Sequence, residues 1–271
     1  MCQKKGGAWR VNAGAELVLT GAHHASAKYA TVDCYGGIKA DAGVTLENCG
    51  DSNAVWGGGN QFTYMTLDGV TASATGPYPA VSAAGGSAAT VVSIKNSVIT
   101  GEKANAISVN GKSENVTLEG NQETVESTSN SAINITGNVK VTIGEETAET
   151  TGLFAVTVAG SADVTVNGGK YKAVYSAVNA GGTAVLHYPE NKVMSDTPNG
   201  EGYFTLTSKD DYVPRKRAKI GETYYETLYA ALEAVKDGET IQLLEAETLA
   251  NNVTLGDKET PGVLHNRFTW K

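Results

Sequence analysis

The sequence predicts an all-β chain: a parallel β-helix, or solenoid, of about eight rungs, followed by a short amphipathic helix and a β segment at the C-terminus. Three observations predict it. A motif written Ala, apolar, x, apolar, x, Gly recurs with its leading residue at Ala8, Thr31, Ala54, Ala80, Ala106, Ala132, Ala155 and Ala177, at intervals of 22 to 26 residues. A second motif, apolar-x-apolar, follows each copy, as in Val116-Thr-Leu118 after Ala106-Ile-Ser-Val-Asn-Gly111. Gly or Asn, the residues that tolerate a left-handed backbone, stands two places beyond the second motif at Gly21, Asn48, Gly69, Asn96, Gly120 and Gly168. A fixed interval in this range marks a repeat architecture, in which each turn buries its apolar side chains only by stacking on its neighbours.

Within each motif the alternation has period 2, which sends successive side chains to opposite faces of a strand. Ile107, Val109, Val116 and Leu118 therefore share an interior, and Ser108 and Thr117 face out. The second motif reads Leu17-Val-Leu19, Val44-Thr-Leu46, Met65-Thr-Leu67, Val92-Ser-Ile94, Val116-Thr-Leu118, Val141-Thr-Ile143, Val164-Thr-Val166 and, loosely, Ala184-Val-Leu186. A third apolar patch per turn is weaker: Val70, Val98-Ile99, Val125 and Tyr171 to Val174. The corners are predicted at the six Gly and Asn positions.

Past Gly182 the pattern degrades through a loop at Glu190 to Gly202 and a short strand, Tyr203 to Thr207. The stretch Lys209 to Lys219, with Lys209, Arg215, Lys216, Arg217 and Lys219, reads as a charged linker. Leu228, Ala231, Leu232 and Val235 then fall at i, i+3, i+4 and i+7, one stripe of a helix. Thr227 is its expected N-cap, and Asp237-Gly238 its end. The strand Thr240 to Leu244 follows, and Val253-Thr-Leu255 repeats the second motif. The expected division is residues 1–207, the β-helix repeat domain; 208–219, the linker; and 220–271, a helix-plus-strand module that enters or caps a second β-helix.

Composition agrees with this outline. Gly is frequent, at 32, and Pro scarce, at 6, as expected of a chain with many corners whose ladders need every backbone donor. The net charge of −8 argues against a nucleic-acid partner. No apolar run approaches the roughly 20 residues of a membrane-crossing helix, so no membrane insertion is expected, and no signal peptide is apparent. Of the three cysteines, Cys34 falls on an inward position and reads as a buried thiol; a bridge to Cys49 is one alternative. No cysteine, histidine or carboxylate spacing suggests a metal site, and nothing calls for a cofactor.

The segment Ala218-Lys-Ile-Gly-Glu-Thr-Tyr-Tyr-Glu-Thr-Leu-Tyr-Ala-Ala-Leu-Glu-Ala-Val-Lys-Asp-Gly-Glu-Thr-Ile-Gln-Leu-Leu244 resembles the entry module of large bacterial surface proteins of the right-handed parallel β-helix, pectate-lyase-like superfamily, and the preceding repeats resemble the body of such a helix. The resemblance implies a right-handed coil and an extracellular or cell-surface location, with this chain as part of a longer, exported one. It says little about chemistry, since the fold hosts lyases, hydrolases and adhesins alike.

Chemistry-bearing residues concentrate near the N-terminus. Arg10, Asp33 and Trp56 occupy one outward column on three successive turns, Tyr35 lies two residues beyond Asp33, and Tyr64 faces out on the neighbouring strand. Aromatic rings beside a carboxylate and a guanidinium suit sugar rings, through stacking and hydrogen bonds. Farther along, the same column holds only Ser82, Ser108, Asn134, Thr157 and Asn179. Glycoside hydrolysis needs two carboxylates about 5–10 Å apart, and Asp33 is the sole acid in its column. His23-His24 reads as a solvated pair in a loop, and His187 and His265 as isolated. The expected function is thus a non-catalytic stalk or adhesin segment touching a host or cell-wall glycan. The alternatives are a polysaccharide lyase or hydrolase, with Asp33 and Arg10 as its acid–base candidates, and a dedicated carbohydrate-binding module.

Overall fold

The computed structural model describes residues 8–21, 23–120, 124–127, 131–236 and 238–245. It forms two compact units, Met1–Tyr212 and Val213–Lys271. The first is an all-β parallel solenoid of about seven turns. Two of its three faces share one 15-stranded sheet, because the strand Ile107–Glu119 runs through the corner between them. The third face is a separate 7-stranded sheet.

The first face follows the sequence motif residue for residue. Trp9, Val32, Val55, Val81, Ile107, Ile133, Val156 and Val178 pair in one continuous parallel column. Ile107, Val109, Val116 and Leu118 are buried together as expected. Each buried aliphatic side chain contributes roughly 1.5–3 kcal/mol, and one contiguous core runs the length of the stack.

The second face departs from the expected pairing at two turns. In the second turn its strand is Gly37–Ala40, with Ile38 between Leu17 and Met65; Val44 and Leu46 lie on the third-face side instead. The reason is the pair Gly36-Gly37. A Cβ at Gly36 would lie 2.2 Å from the Ala15 carbonyl oxygen, so the chain turns there at once and no longer corner is needed. In the last turn Leu186, rather than Ala184, pairs with Val164. One outward column of this face carries hydroxyls in register, Thr66, Ser93, Thr117, Thr142 and Thr165.

The corners differ too. Gly21, Gly69 and Asn96 adopt left-handed backbone as expected, but Asn48, Gly120 and Gly168 do not. The sharper corner is the glycine that ends the first motif: Gly59, Gly111, Gly137, Gly160 and Gly182 all have φ between 72° and 94°. Asn48 has another task, since its Nδ2 donates to the Tyr29 carbonyl at 2.7 Å and its Oδ1 accepts from the Gly50 amide at 3.1 Å.

The first and last turns are built differently from the middle. Trp9 and His24 occupy inward columns that hold Val, Ile, Leu or Ala in the middle turns, and the Trp9 indole Nε1 donates to His24 Nδ1 at 3.3 Å. His24 thus belongs to the strand His23–Ser26 and not to a loop. At the other end, the strands Lys192–Met194 and Leu206–Ser208 form an antiparallel hairpin, and Phe204 pairs antiparallel with Tyr171 on the third face. Met194, Phe204 and Tyr171 complete the core there.

The second unit has its own small core. Strands Ala218–Ile220, Thr223–Tyr225 and Ile241–Leu243 make an antiparallel sheet, against which the helix Leu228–Ala234 packs Ala231, with Val235 just past its end partly buried on the same core. Thr227 is the N-cap, its side chain accepting from the Ala230 amide at 3.0 Å. Of the basic run, Arg217 is buried and Arg215 pairs with Glu245. Val253 to Leu255 lies outside the described residues.

Candidate functional site

Arg10, Asp33 and Trp56 are adjacent in register on the first face. Tyr35 follows the strand Val32–Cys34, just before the Gly36 corner. Its ring lies 5.1 Å from that of Trp56 at an interplanar angle of 59°, and the Arg10 guanidinium sits 4.8 Å above it. Four of the five expected site residues therefore form one contiguous cluster.

Tyr64 joins the surface from the second face, where Glu16, Gly37 and Tyr64 share one outward column. Its ring lies directly over Gly37: an added Cβ there would come within 2.2–2.8 Å of three ring atoms. Trp56 has the same relation to Gly58, where an added Cβ would meet two indole carbons at 2.5 and 2.8 Å. Tyr35 stands over Gly59, 3.3 Å from the corresponding position. Each ring thus rests on bare backbone, a known way for aromatic side chains to protect glycines in a sheet. Trp56 and Tyr64 both stay partly exposed, and an aromatic ring offers a surface on which a flat apolar patch of a ligand stacks.

Sequence reasoning missed Glu16 and the glycine floor. The Tyr64 hydroxyl hydrogen-bonds to the Glu16 side chain, two turns away in the column. The signal was present in Gly37 and Glu16, but it is visible only once the second strand of the second turn is placed at Gly37–Ala40. Beneath the surface, Cys34 is a free thiol, fully buried, so a bridge to Cys49 does not form. The Gly57 position next to it leaves room for the Phe62 ring and the end of Met65.

Burial raises the Asp33 carboxyl above its ordinary value, against the opposing pull of the Arg10 charge. Burial, together with the hydrogen bond and charge of Glu16, pushes Tyr64 up to about 12. An unfolded tyrosine titrates near 10. The folded protein therefore holds this proton more tightly, so the contribution of Tyr64 is complete below pH 10 and is lost as pH rises toward 12. The absorbance difference at 295 nm between wild type and Tyr64→Phe is expected to show one ionisation near pH 12. A midpoint near 10 would mean that Tyr64 is not held against Glu16.

Elsewhere the outward column of the first face holds small polar residues, Ser82, Ser108, Asn134, Thr157 and Asn179. His187 is not isolated, since its Nε2 lies 2.9 Å from Asp163 Oδ1. Among the described residues no group of three or more His, Cys, Asp or Glu side chains could hold a metal ion, and no helix is long and apolar enough to cross a membrane. His265 lies outside the described residues. No protein-family model, curated protein or solved structure matches this chain.

Proposed function

We propose that this chain is a non-catalytic solenoid segment of an exported bacterial surface protein that touches a glycan through the Arg10, Asp33, Tyr35, Trp56 and Tyr64 surface. The observation that carries the reading is the pair of rings, Trp56 and Tyr64, packed against Gly58 and Gly37 beside a carboxylate and a guanidinium. Protein–sugar contacts need two things: an apolar platform for the C–H face of a pyranose and polar groups at its rim to fix the hydroxyls. This surface supplies both, and the regular column of Ser, Thr and Asn beyond it supplies neither. A stalk role for the rest of the solenoid follows from its neighbour-to-neighbour construction, which extends a rod by about 4.8 Å per turn without changing its sides.

A glycan array probed with the intact chain tests the reading. Binding is expected to at least one oligosaccharide, and Trp56→Ala is expected to weaken it by tenfold or more, the loss of roughly 1.4 kcal/mol. An array silent for every glycan removes the proposal. Incubation with polymeric uronates, followed at 235 nm, addresses lyase activity: appearance of unsaturated products would replace binding by catalysis.

A further inference from the structure

We infer that the Trp56–Tyr64 surface takes a neutral pyranose chain and turns away uronate- and sulfate-bearing glycans. The inference rests on the glycan reading above and deepens it by assigning the ligand's charge class.

The surface carries net negative charge. Arg10 is the one cation in the cluster; Asp33 is its neighbour in register, and Glu16 adds a second carboxylate from the column of Tyr64 on the adjoining face. Lys39, the next basic residue on the adjoining column, lies 3.6 Å from Asp41 and is offset by it. One positive and two negative charges leave the patch at −1, in a chain whose net charge is −8. An acidic sugar would have to approach both carboxylates to reach the rings, and like charges at close range disfavour a complex.

Its polar groups also have unfilled hydrogen-bonding capacity. Asp33 has no hydrogen-bond or ion-pair partner among the described residues, and burial has already removed part of its water. A carboxylate in that state gains most from O–H donors, which a neutral sugar carries around its whole rim. Arg10 lies one strand away in the same column, with its guanidinium over Tyr35 and no carboxylate within ion-pair distance among the described residues. An adjacent acceptor and donor of this kind match two neighbouring hydroxyls, each of which both donates and accepts. Glu16 is already engaged by the Tyr64 hydroxyl and so fixes a platform.

The rings divide the labour among them. Tyr35 has one face under the Arg10 guanidinium and leans against Trp56, so it supports the cluster. Trp56 and Tyr64 stand on opposite sides of the corner between the first and second faces. Two platforms so separated call for an oligosaccharide of at least two rings.

Isothermal titration of the full chain with glucose-, mannose- and N-acetylglucosamine-based hexasaccharides, alongside hexagalacturonate and a sulfated hexasaccharide, tests the inference. At least one neutral oligomer is expected to bind, with an affinity that changes less than twofold between 50 and 500 mM salt, and both acidic oligomers at least tenfold more weakly. Asp33→Asn, with folding checked by circular dichroism, is expected to lower neutral binding several-fold; Glu16→Gln with Asp33→Asn is expected to narrow the gap to the acidic oligomers. Tighter binding of an acidic oligomer overturns the charge assignment and leaves the glycan reading in place. If neither these oligomers nor any glycan on the array binds, both fail together.

Discussion

Replacing Gly111 by valine is expected to destabilise the solenoid by about 2–6 kcal/mol, the sum of a strained backbone and an overpacked corner. Gly111 has φ +94°, a region that side chains with a branched Cβ avoid. A Cβ there would also lie 2.2 Å from the Gly85 carbonyl oxygen and 3.3 Å from its amide nitrogen. Gly85 cannot retreat, because its strand Val81–Gly86 is paired on both sides, to Val55–Gly59 and to Ile107 onward. A domain's whole stability is about 5–15 kcal/mol, so the midpoint of urea unfolding should fall steeply or the chain should fail to fold. Gly14→Ala provides the comparison: φ is +74° there as well, but nothing lies within 4 Å of the added carbon. Its cost should be the backbone term alone, about 1 kcal/mol. Equal shifts for the two variants would show that crowding between turns is not what selects glycine at this corner.

Tyr171→Ala is expected to cost about 3–5 kcal/mol, the range for removing a large buried aromatic side chain. The ring is fully buried, and its hydroxyl donates to the Gly168 carbonyl at 2.8 Å. Burial, with Glu146 nearby, pushes its ionisation far above the ordinary tyrosine range, so it stays neutral wherever the protein is folded. The damage should concentrate at the C-terminal end. Tyr171 and Phe204 exchange backbone hydrogen bonds at 3.0 and 2.7 Å, and Phe204 is buried in the same core. Hydrogen exchange should therefore show lost protection over residues 192–208 before the middle turns are affected. Tyr171→Phe, which removes only the hydroxyl, should cost about 1 kcal/mol. Uniform loss of protection along the stack would contradict the local role assigned to this contact.

The architecture was legible because a β-solenoid writes its core into the sequence at a fixed interval. Every leading residue of the first motif, from Ala8 to Ala177, precedes a position that lies in one paired column. What was not legible depended on corners. Val44-Thr-Leu46 has the same pattern as Met65-Thr-Leu67, and pattern alone cannot say which face a strand occupies when the intervening corner is only Gly36-Gly37. That one displacement hid the column Glu16, Gly37, Tyr64, and with it the partner of a candidate site residue. His187 and Asp163 were separated in sequence by a whole turn, and only the register that puts Thr165 beside His187 brings them together. The Arg10, Asp33, Trp56 column needed no corner to be read correctly, and it was found.

The antiparallel hairpin after residue 190 has one further consequence. Parallel stacks present identical edges, so a rung left open at its end offers the same unpaired amides and carbonyls to any other copy, and such edges seed fibrils. By running backwards along Tyr171, the Phe204 segment breaks the repeat where a copied rung would otherwise attach. On the third face, therefore, the last rung does not offer a free parallel edge at Tyr171 to a second copy.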